Sequence, residues 1–417
     1  MATLQVEVDG LKLPNPFVVG SGPPGTNANV IGKAFKEGWG AVIAKTISLE
    51  ADKVTNVAPR YARMRASETR EVIGWENIEL ISDRSFEVWI DEFKKVKDAY
   101  PDGILIASIM EEYRKDAWQE ITERCQDAGV DAFELNFSCP HGLPERKMGS
   151  AMGQDCEIVQ EVSLWVNEVA TVPVWAKMTP NITHIEDPAR AALMAGCEGV
   201  SAINTILSVM SVDLNTLRPE PTVEGFTVPG GYSCKAVRPI ALRMVMELAT
   251  MMYGGNSGAP IPPALDAIAP PDRKGTSVER ESISPIGHFQ PQTCKGNFHD
   301  RSLSAIGGIE TGDDAAQFIL LGASTVQVCT GVMIHGYSVV QSMCDQLEAF
   351  MEQHGFQSIE DFRGHALQYF TTHAELVRRQ SDIKTAEKAA RKKMVTEDKG
   401  WDGDKFVEQS NDLVAND

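Results

Sequence analysis

Residues 132–142 read Ala-Phe-Glu-Leu-Asn-Phe-Ser-Cys-Pro-His-Gly. The run that begins at Asp131 leads into a strand ending at Asn136, and an amide, a hydroxyl and a thiol are packed into the four residues at its exit. Polar groups gathered at the C-terminal end of a parallel strand mark the place where α/β proteins put substrate chemistry. Pro140 limits how the loop can leave. A free cysteine is ordinarily a small buried hydrophobe; the neighbours of Cys139 argue for chemistry instead.

Working outward, short β-branched runs alternate with segments of helical period. The strands are expected at 17–19, 41–44, 104–107, 132–135, 172–176, 199–202, 302–306 and 325–328. Helices are expected near 28–37, 84–98, 115–127 and 155–170. Eight strands, each followed by a helix, predict an α/β fold of the (β/α)₈ barrel type rather than an open sheet. The segment Val6–Leu13, turning at Asp9-Gly10, reads as a hairpin able to plug the barrel floor. Residues 254–300, rich in Gly, Pro and Ser without period, read as an irregular insertion. The expected organisation is a barrel domain over 1–363, interrupted by that insertion, and a C-terminal helical extension over 364–417.

The 417 residues carry a formal charge of −19, which argues against nucleic-acid binding, a role that needs a basic patch for phosphates. Eight cysteines contain no CxxC pair, so neither a zinc site nor an iron–sulfur cluster is expected, and reduced thiols are expected in a chain of this length. No apolar run approaches the roughly 20 residues of a membrane span. Structure begins almost at once with Leu4–Val8. The expectation is therefore a cytoplasmic protein as numbered, or a plastid protein if a transit segment was removed.

The other strand ends repeat the pattern. The first strand runs into Gly20-Ser21-Gly22-Pro23-Pro24-Gly25, literally GxGxxG. A dinucleotide reading wants an acidic residue after the second strand, which instead ends Lys45-Thr46, and two prolines remove amide donors. A second strand-end lysine, Lys177, matches Lys45. Lysines there are costly to bury without an anion, so the pair suggests one shared anion, such as a cofactor ring that gains charge on reduction. Asn77, Asn136 and Asn204 form an amide set able to donate to carbonyls and accept from ring NH groups, and Thr205 follows the last of them. Gly307-Gly308 and Cys329-Thr330-Gly331 end the last two strands, the usual place of a barrel's phosphate site.

The runs Asn15-Pro16-Phe17, Ala44-Lys45-Thr46, Asn77-Ile78-Glu79-Leu80, Asn136–Gly142, Met148-Gly149, Gly153-Gln154-Asp155, Ala176–Asn181, Asn204-Thr205, Arg238–Leu242, Gly307-Gly308-Ile309 and Gln327-Val328-Cys329 resemble, in order, the flavin domain of dihydropyrimidine dehydrogenases, within the wider dihydroorotate dehydrogenase-like family of flavin barrels. The run after Cys139 is similar to the pyrimidine-reducing branch, and the insertion and tail to the stand-alone plant and algal form. The resemblance implies FMN held by Ser21, Lys45, Thr46, Lys177, Ser233, Ile306, Gly307, Gly308, Cys329 and Thr330. It implies a pyrimidine read by Asn77, Asn136, Ser138, Asn204 and Thr205. In the implied reaction reduced FMN delivers hydride to C6 of uracil or thymine, Cys139 donates a proton to C5, and Lys177 stabilises the reduced ring. NADPH or NADH is the implied donor, and a homodimer the implied assembly.

Two departures stand out: Cys234 occupies a place where animal relatives carry glycine, and Pro144 and Lys147 alter the loop after Cys139. The iron–sulfur and NADPH-binding regions of the animal enzyme have no counterpart in the sequence. Two alternatives are a dihydroorotate oxidase and a flavin subunit that depends on an electron-transfer partner. A flavin-free phosphate-binding barrel is a third.

Overall fold

The eight barrel strands are β1 (Phe17–Val19), β2 (Ala41–Ile43), β3 (Ile104–Ile109), β4 (Ala132–Asn136), β5 (Val174–Lys177), β6 (Gly199–Ala202), β7 (Ser302–Ile306) and β8 (Thr325–Val328). In the computed structural model they pair in parallel, in sequence order, and β8 closes on β1 through Val326↔Phe17 and Val328↔Val19. This is the (β/α)₈ barrel predicted from the strand runs. The described residues are 2–50, 54–139, 148–254 and 298–393, without the side chains of 385–393. The expected insertion at 254–300 and the loop bearing Pro144 and Lys147 thus lie largely outside them.

Nearly every strand residue is buried, because barrel strands are covered by helices outside and by one another inside. Hence they read as apolar runs rather than alternating ones. The helices α1 (Ala28–Glu37), α2 (Phe86–Ala99), α3 (Lys115–Asp127), α4 (Cys156–Asn167), α5 (Glu186–Met194), α6 (Arg238–Tyr253), α7 (Gly312–Leu320) and α8 (Val339–His354) each follow one strand. Several starts are set by side-chain caps. Asn27 accepts from the amides of Asn29 and Val30, Ser85 from Val88, and Asp155 from Glu157 and Ile158. The fifth strand begins two residues later than expected, after Pro173, which has no amide to donate to a ladder.

The hairpin pairs Val6↔Leu13 and Val8↔Leu11 across a turn with positive φ at Asp9 and Gly10, the conformation a two-residue hairpin requires. The Asp9 carboxylate accepts from Trp175 Nε1 at 2.6 Å and from Ser302 Oγ at 2.5 Å, near the N-terminal ends of β5 and β7. The hairpin therefore closes the barrel floor. Burial pushes the Asp9 carboxyl up from the ordinary 3.8 to about 6, against the opposing pull of those two hydrogen bonds. Since the folded pKa exceeds the unfolded one, this contribution to stability is complete below about pH 4 and is lost as pH rises through 6. We expect Asp9→Asn, a neutral acceptor, to melt close to the native protein at pH 4 and above it at pH 7. Thermal melts across that range check this.

Between strands and helices the chain builds a second sheet that the strand pattern did not foretell. The antiparallel order is 206–208, 230–233, 72–77, 61–65, with Ser233↔Trp75, Gly231↔Asn77, Tyr61↔Asn77 and Arg63↔Trp75 as direct partners. It joins an excursion after β2 to one after β6 and stands over the barrel mouth. A first unit extends through Tyr369, its last turn holding Leu367 buried, and a second begins at Phe370. The second contains α9 (His373–Lys393), where Glu375 binds both Arg378 and Arg379. Among the described residues no helix is long and apolar enough to cross a membrane.

Candidate active site

One pocket opens at the C-terminal ends of the strands, and nearly all the residues singled out from sequence line it. Ser21, Lys45, Thr46, Asn77, Asn136, Cys139, Lys177, Asn204, Thr205, Ser233, Ile306, Gly307, Gly308, Cys329 and Thr330 share its wall. Ser138 is the exception: fully buried, it stands behind the wall and bonds to residues that face the pocket.

The β4 exit is organised by Asn136. Its Oδ1 accepts from the Ser138 amide at 3.0 Å, the Ser138 hydroxyl at 2.9 Å and the Cys139 amide at 3.0 Å. Its Nδ2 donates to Thr46 Oγ1 at 2.9 Å. Asn204 Nδ2 donates to the Ser138 hydroxyl at 2.8 Å. Thr46 lies 3.2 Å from the Ser21 hydroxyl and 2.8 Å from that of Ser108. A hydrogen-bonded chain thus crosses the mouth from the end of β1 to the end of β6. Much of the amide capacity assigned to reading a ligand is spent on holding this frame.

Cys139 is buried at the pocket wall in an apolar cluster with Ile81, Met110 and Met148. The chain returns to it at Met148-Gly149, where the Ser150 amide donates to the Cys139 carbonyl at 3.0 Å. A Cβ on Gly149 would stand 2.5 Å from that carbonyl oxygen, so glycine lets the loop close this tightly.

Each strand-end lysine also meets a carboxylate of the chain, a partner that the strand-end pattern did not supply. Lys177 Nζ donates to Glu134 Oε1 at 3.0 Å, and both are buried. Glu134 Oε2 accepts from Ser201 Oγ at 2.8 Å and Gln327 Nε2 at 2.9 Å. Lys45 Nζ lies 2.6 Å from Glu79 Oε1, which Arg60 also meets at 2.8 Å, while the Tyr61 hydroxyl donates to Glu79 Oε2 at 2.6 Å. Burial alone would raise the Glu79 carboxyl, but Lys45 and the hydrogen bonds from Lys45, Tyr61 and Arg60 outweigh it and hold the carboxyl below its usual range. Glu134, Gln327 and Glu79 were absent from the sequence-based candidates. A charged residue inside an otherwise apolar buried strand, as Glu134 is, was the available signal.

At the other end of the pocket the Ser233 and Thr330 hydroxyls lie 2.9 Å apart. Gly307 and Gly308 both have positive φ, and a Cβ on Gly308 would meet the Cys234 carbonyl at 2.8 Å. Burial pushes the Cys329 thiol up to about 11, against the nearby Lys177 and Lys45.

The dihydroorotate dehydrogenase pattern matches residues 3–255 and 297–351, passing over most of the segment set apart as an insertion. The chain belongs to the dihydroorotate dehydrogenase family. Within it, the chain is 56% identical over 417 residues to the chloroplastic dihydropyrimidine dehydrogenase (NADP(+)) of Arabidopsis thaliana, covering 99% of this chain and 88% of the relative. It is 36% identical over 361 residues to the NAD-dependent dihydropyrimidine dehydrogenase subunit PreA of Escherichia coli (strain K12), covering 87% and 76%. It is 30% identical over 364 residues to the dihydroorotate dehydrogenase B (NAD(+)) catalytic subunit of Pyrococcus abyssi, covering 87% and 99%.

The donor set fits the flavin expected in this family: two lysines at one end of the pocket, bare glycine turns and two hydroxyls at the other. The backbone at position 234 is strained. Cys234 has φ +79° and ψ −174°, a region almost reserved for glycine, where another residue costs about 1–3 kcal/mol. We expect Cys234→Gly to stabilise the protein by about 1 kcal/mol with flavin content retained. Denaturant unfolding followed with the visible spectrum checks both.

Proposed function

We propose that this chain reduces the C5=C6 bond of uracil or thymine, with FMN in the mouth pocket and NADPH as electron donor. The observation that carries this reading is the convergence of Cys139, two buried lysines and three asparagines on one pocket wall. The names of the plant and bacterial relatives support the same substrate class. The flavin phosphate would be held by Gly307, Gly308, Ser233 and Thr330, with Ile306 and Cys329 beside them. The ring would be held by Ser21, Lys45, Thr46 and Lys177. When bound, FMN supplies two-electron transfer between the dinucleotide and the pyrimidine.

Reducing the double bond takes a hydride at C6 and a proton at C5. Cys139 is the acid for C5: its thiol, buried at the pocket wall, is the proton donor that the loop holds there. Asn136 acts through the Cys139 amide, fixing where the thiol stands. Asn77, Asn204 and Thr205 orient the pyrimidine, and Ser138 steadies Asn204 from behind. Lys177, anchored on Glu134, offsets negative charge at the reacting centre.

The dihydroorotate alternative brings a carboxylate that needs a cation. Among the described residues the pocket is lined by two cations, Lys45 and Lys177, and each already holds a protein carboxylate. This favours a neutral pyrimidine. The same reading takes the protein as a homodimer, and the plant relative's name supports a plastid setting.

The test is an anaerobic visible spectrum of the purified protein, then addition of NADPH, then of uracil or orotate. Flavin bleaching by NADPH and recovery with uracil but not orotate is expected. A colourless protein, or recovery with orotate alone, would sink the reading. Bleaching only in the presence of an added electron-transfer subunit would replace NADPH as the direct donor.

A further inference from the structure

The arm over the mouth is out of keeping with the chain's charge. Residues 60–71 carry four arginines against two glutamates, in a protein of formal charge −19. Direct cross-strand partners share a face. Arg63 faces Trp75 and Tyr61 faces Asn77, and Tyr61, Trp75 and Asn77 all line the pocket. Arg63 is therefore the next group outward on the pocket side of the arm. Its guanidinium lies over the Trp75 ring at 4.3 Å from the centroid.

Arg60 shares the Glu79 carboxylate with Lys45, whereas Arg63 and Arg65 have no carboxylate within ion-pair distance among the described residues. Beneath Arg63, the buried Trp75 indole N–H has no hydrogen-bond partner, a donor held at the pocket wall without an acceptor. The glycine turns at 307–308 and the hydroxyls of Ser233 and Thr330 provide for the single phosphate of a flavin. The arm is a second, separate provision for an anion.

We propose that the Arg63–Trp75 stack, with Arg65 beyond it, binds the phosphorylated adenosine end of the electron-donating dinucleotide. The inference rests on the reading that a dinucleotide reduces the flavin directly. The pyrimidine is neutral and small, and it makes no use of an arginine-bearing arm at the rim. A dinucleotide that places its nicotinamide in the pocket must trail its phosphates out through the mouth. A planar guanidinium recognises a 2′-phosphate through paired N–H groups.

The experiment uses the flavin-loaded full-length protein and isothermal titration with NADP⁺ and with adenosine 2′,5′-bisphosphate. Arg63→Gln should weaken both by about tenfold, the loss of one charge-assisted phosphate contact. The affinity for NAD⁺ should change much less. Flavin content, and the rate at which uracil reoxidises dithionite-reduced protein, should stay at native values. Unchanged affinity for both probes in Arg63→Gln would overturn the assignment. So would loss of flavin or slowed reoxidation by uracil, which would give the arm to the flavin or the pyrimidine. If the native protein binds neither probe while NADPH still bleaches the flavin, the assignment fails and the functional reading stands. If NADPH does not bleach it, the reading of a direct donor fails as well.

Discussion

Cys139→Ala is expected to retain bound flavin and to lose uracil-dependent turnover by about a hundredfold or more, the range contributed by a positioned general acid. The Cys139 thiol is the proposed acid at the β4 exit, and two backbone bonds that hold Cys139 are independent of its sulfur. The Asn136 carbonyl oxygen takes the Cys139 amide, and the Cys139 carbonyl takes the Ser150 amide. Removing Sγ therefore leaves the loop's backbone bonds in place, and the defect should appear in the pyrimidine half-reaction alone. Reduction by NADPH should proceed at its native rate, while reoxidation by uracil should slow. Stopped-flow traces at the flavin band separate the two. Near-native reoxidation would remove Cys139 as the acid.

Glu134→Ala is expected to produce the largest loss of stability, about 3–5 kcal/mol, because it takes the carboxylate from the Lys177 ammonium in the barrel interior and leaves it the neutral Gln327 amide oxygen at 3.4 Å. It also takes the acceptor away from Ser201 and Gln327. Replacing the pair is different from breaking it. Glu134→Leu combined with Lys177→Met removes both charges and should recover most of the loss, since a desolvated ion pair gains little over an apolar contact of similar volume. The double variant should still reduce pyrimidine poorly, having lost Lys177. Denaturant unfolding of the single and double variants, with flavin content measured on each, checks the prediction. A stable Glu134→Ala would show that Lys177 finds another partner or leaves the interior.

The two variants probe different kinds of knowledge. Cys139 was legible in the sequence because a thiol at a strand exit, beside an asparagine and a serine, is a local pattern. Asn136, Asn204, Lys45 and Lys177 were legible for the same reason, each ending a β-branched run. Asn77 had little local support, and its place comes from a sheet that pairs residue 77 with residue 231. The arm residues 61–77 mix charge and small side chains, and their one apolar run, Val72–Trp75, is short and broken by Gly74, so period offered only a weak sign of strands there. The lysines were read as sharing an anion because sequence shows a charge but not its partner. The structure supplies Glu79 to one and Glu134 to the other.

The sequence by itself determined the barrel and the end of it that carries chemistry. Strands buried on both faces are mainly apolar, so a cluster of polar residues at a strand exit announces the mouth. Only the tertiary structure decided how those groups are charged, tied and shared. The contacts that do this join residues far apart in the chain, such as Glu134 with Gln327, 193 positions on. Local pattern reports which way a side chain faces; closure of the barrel decides what it meets there.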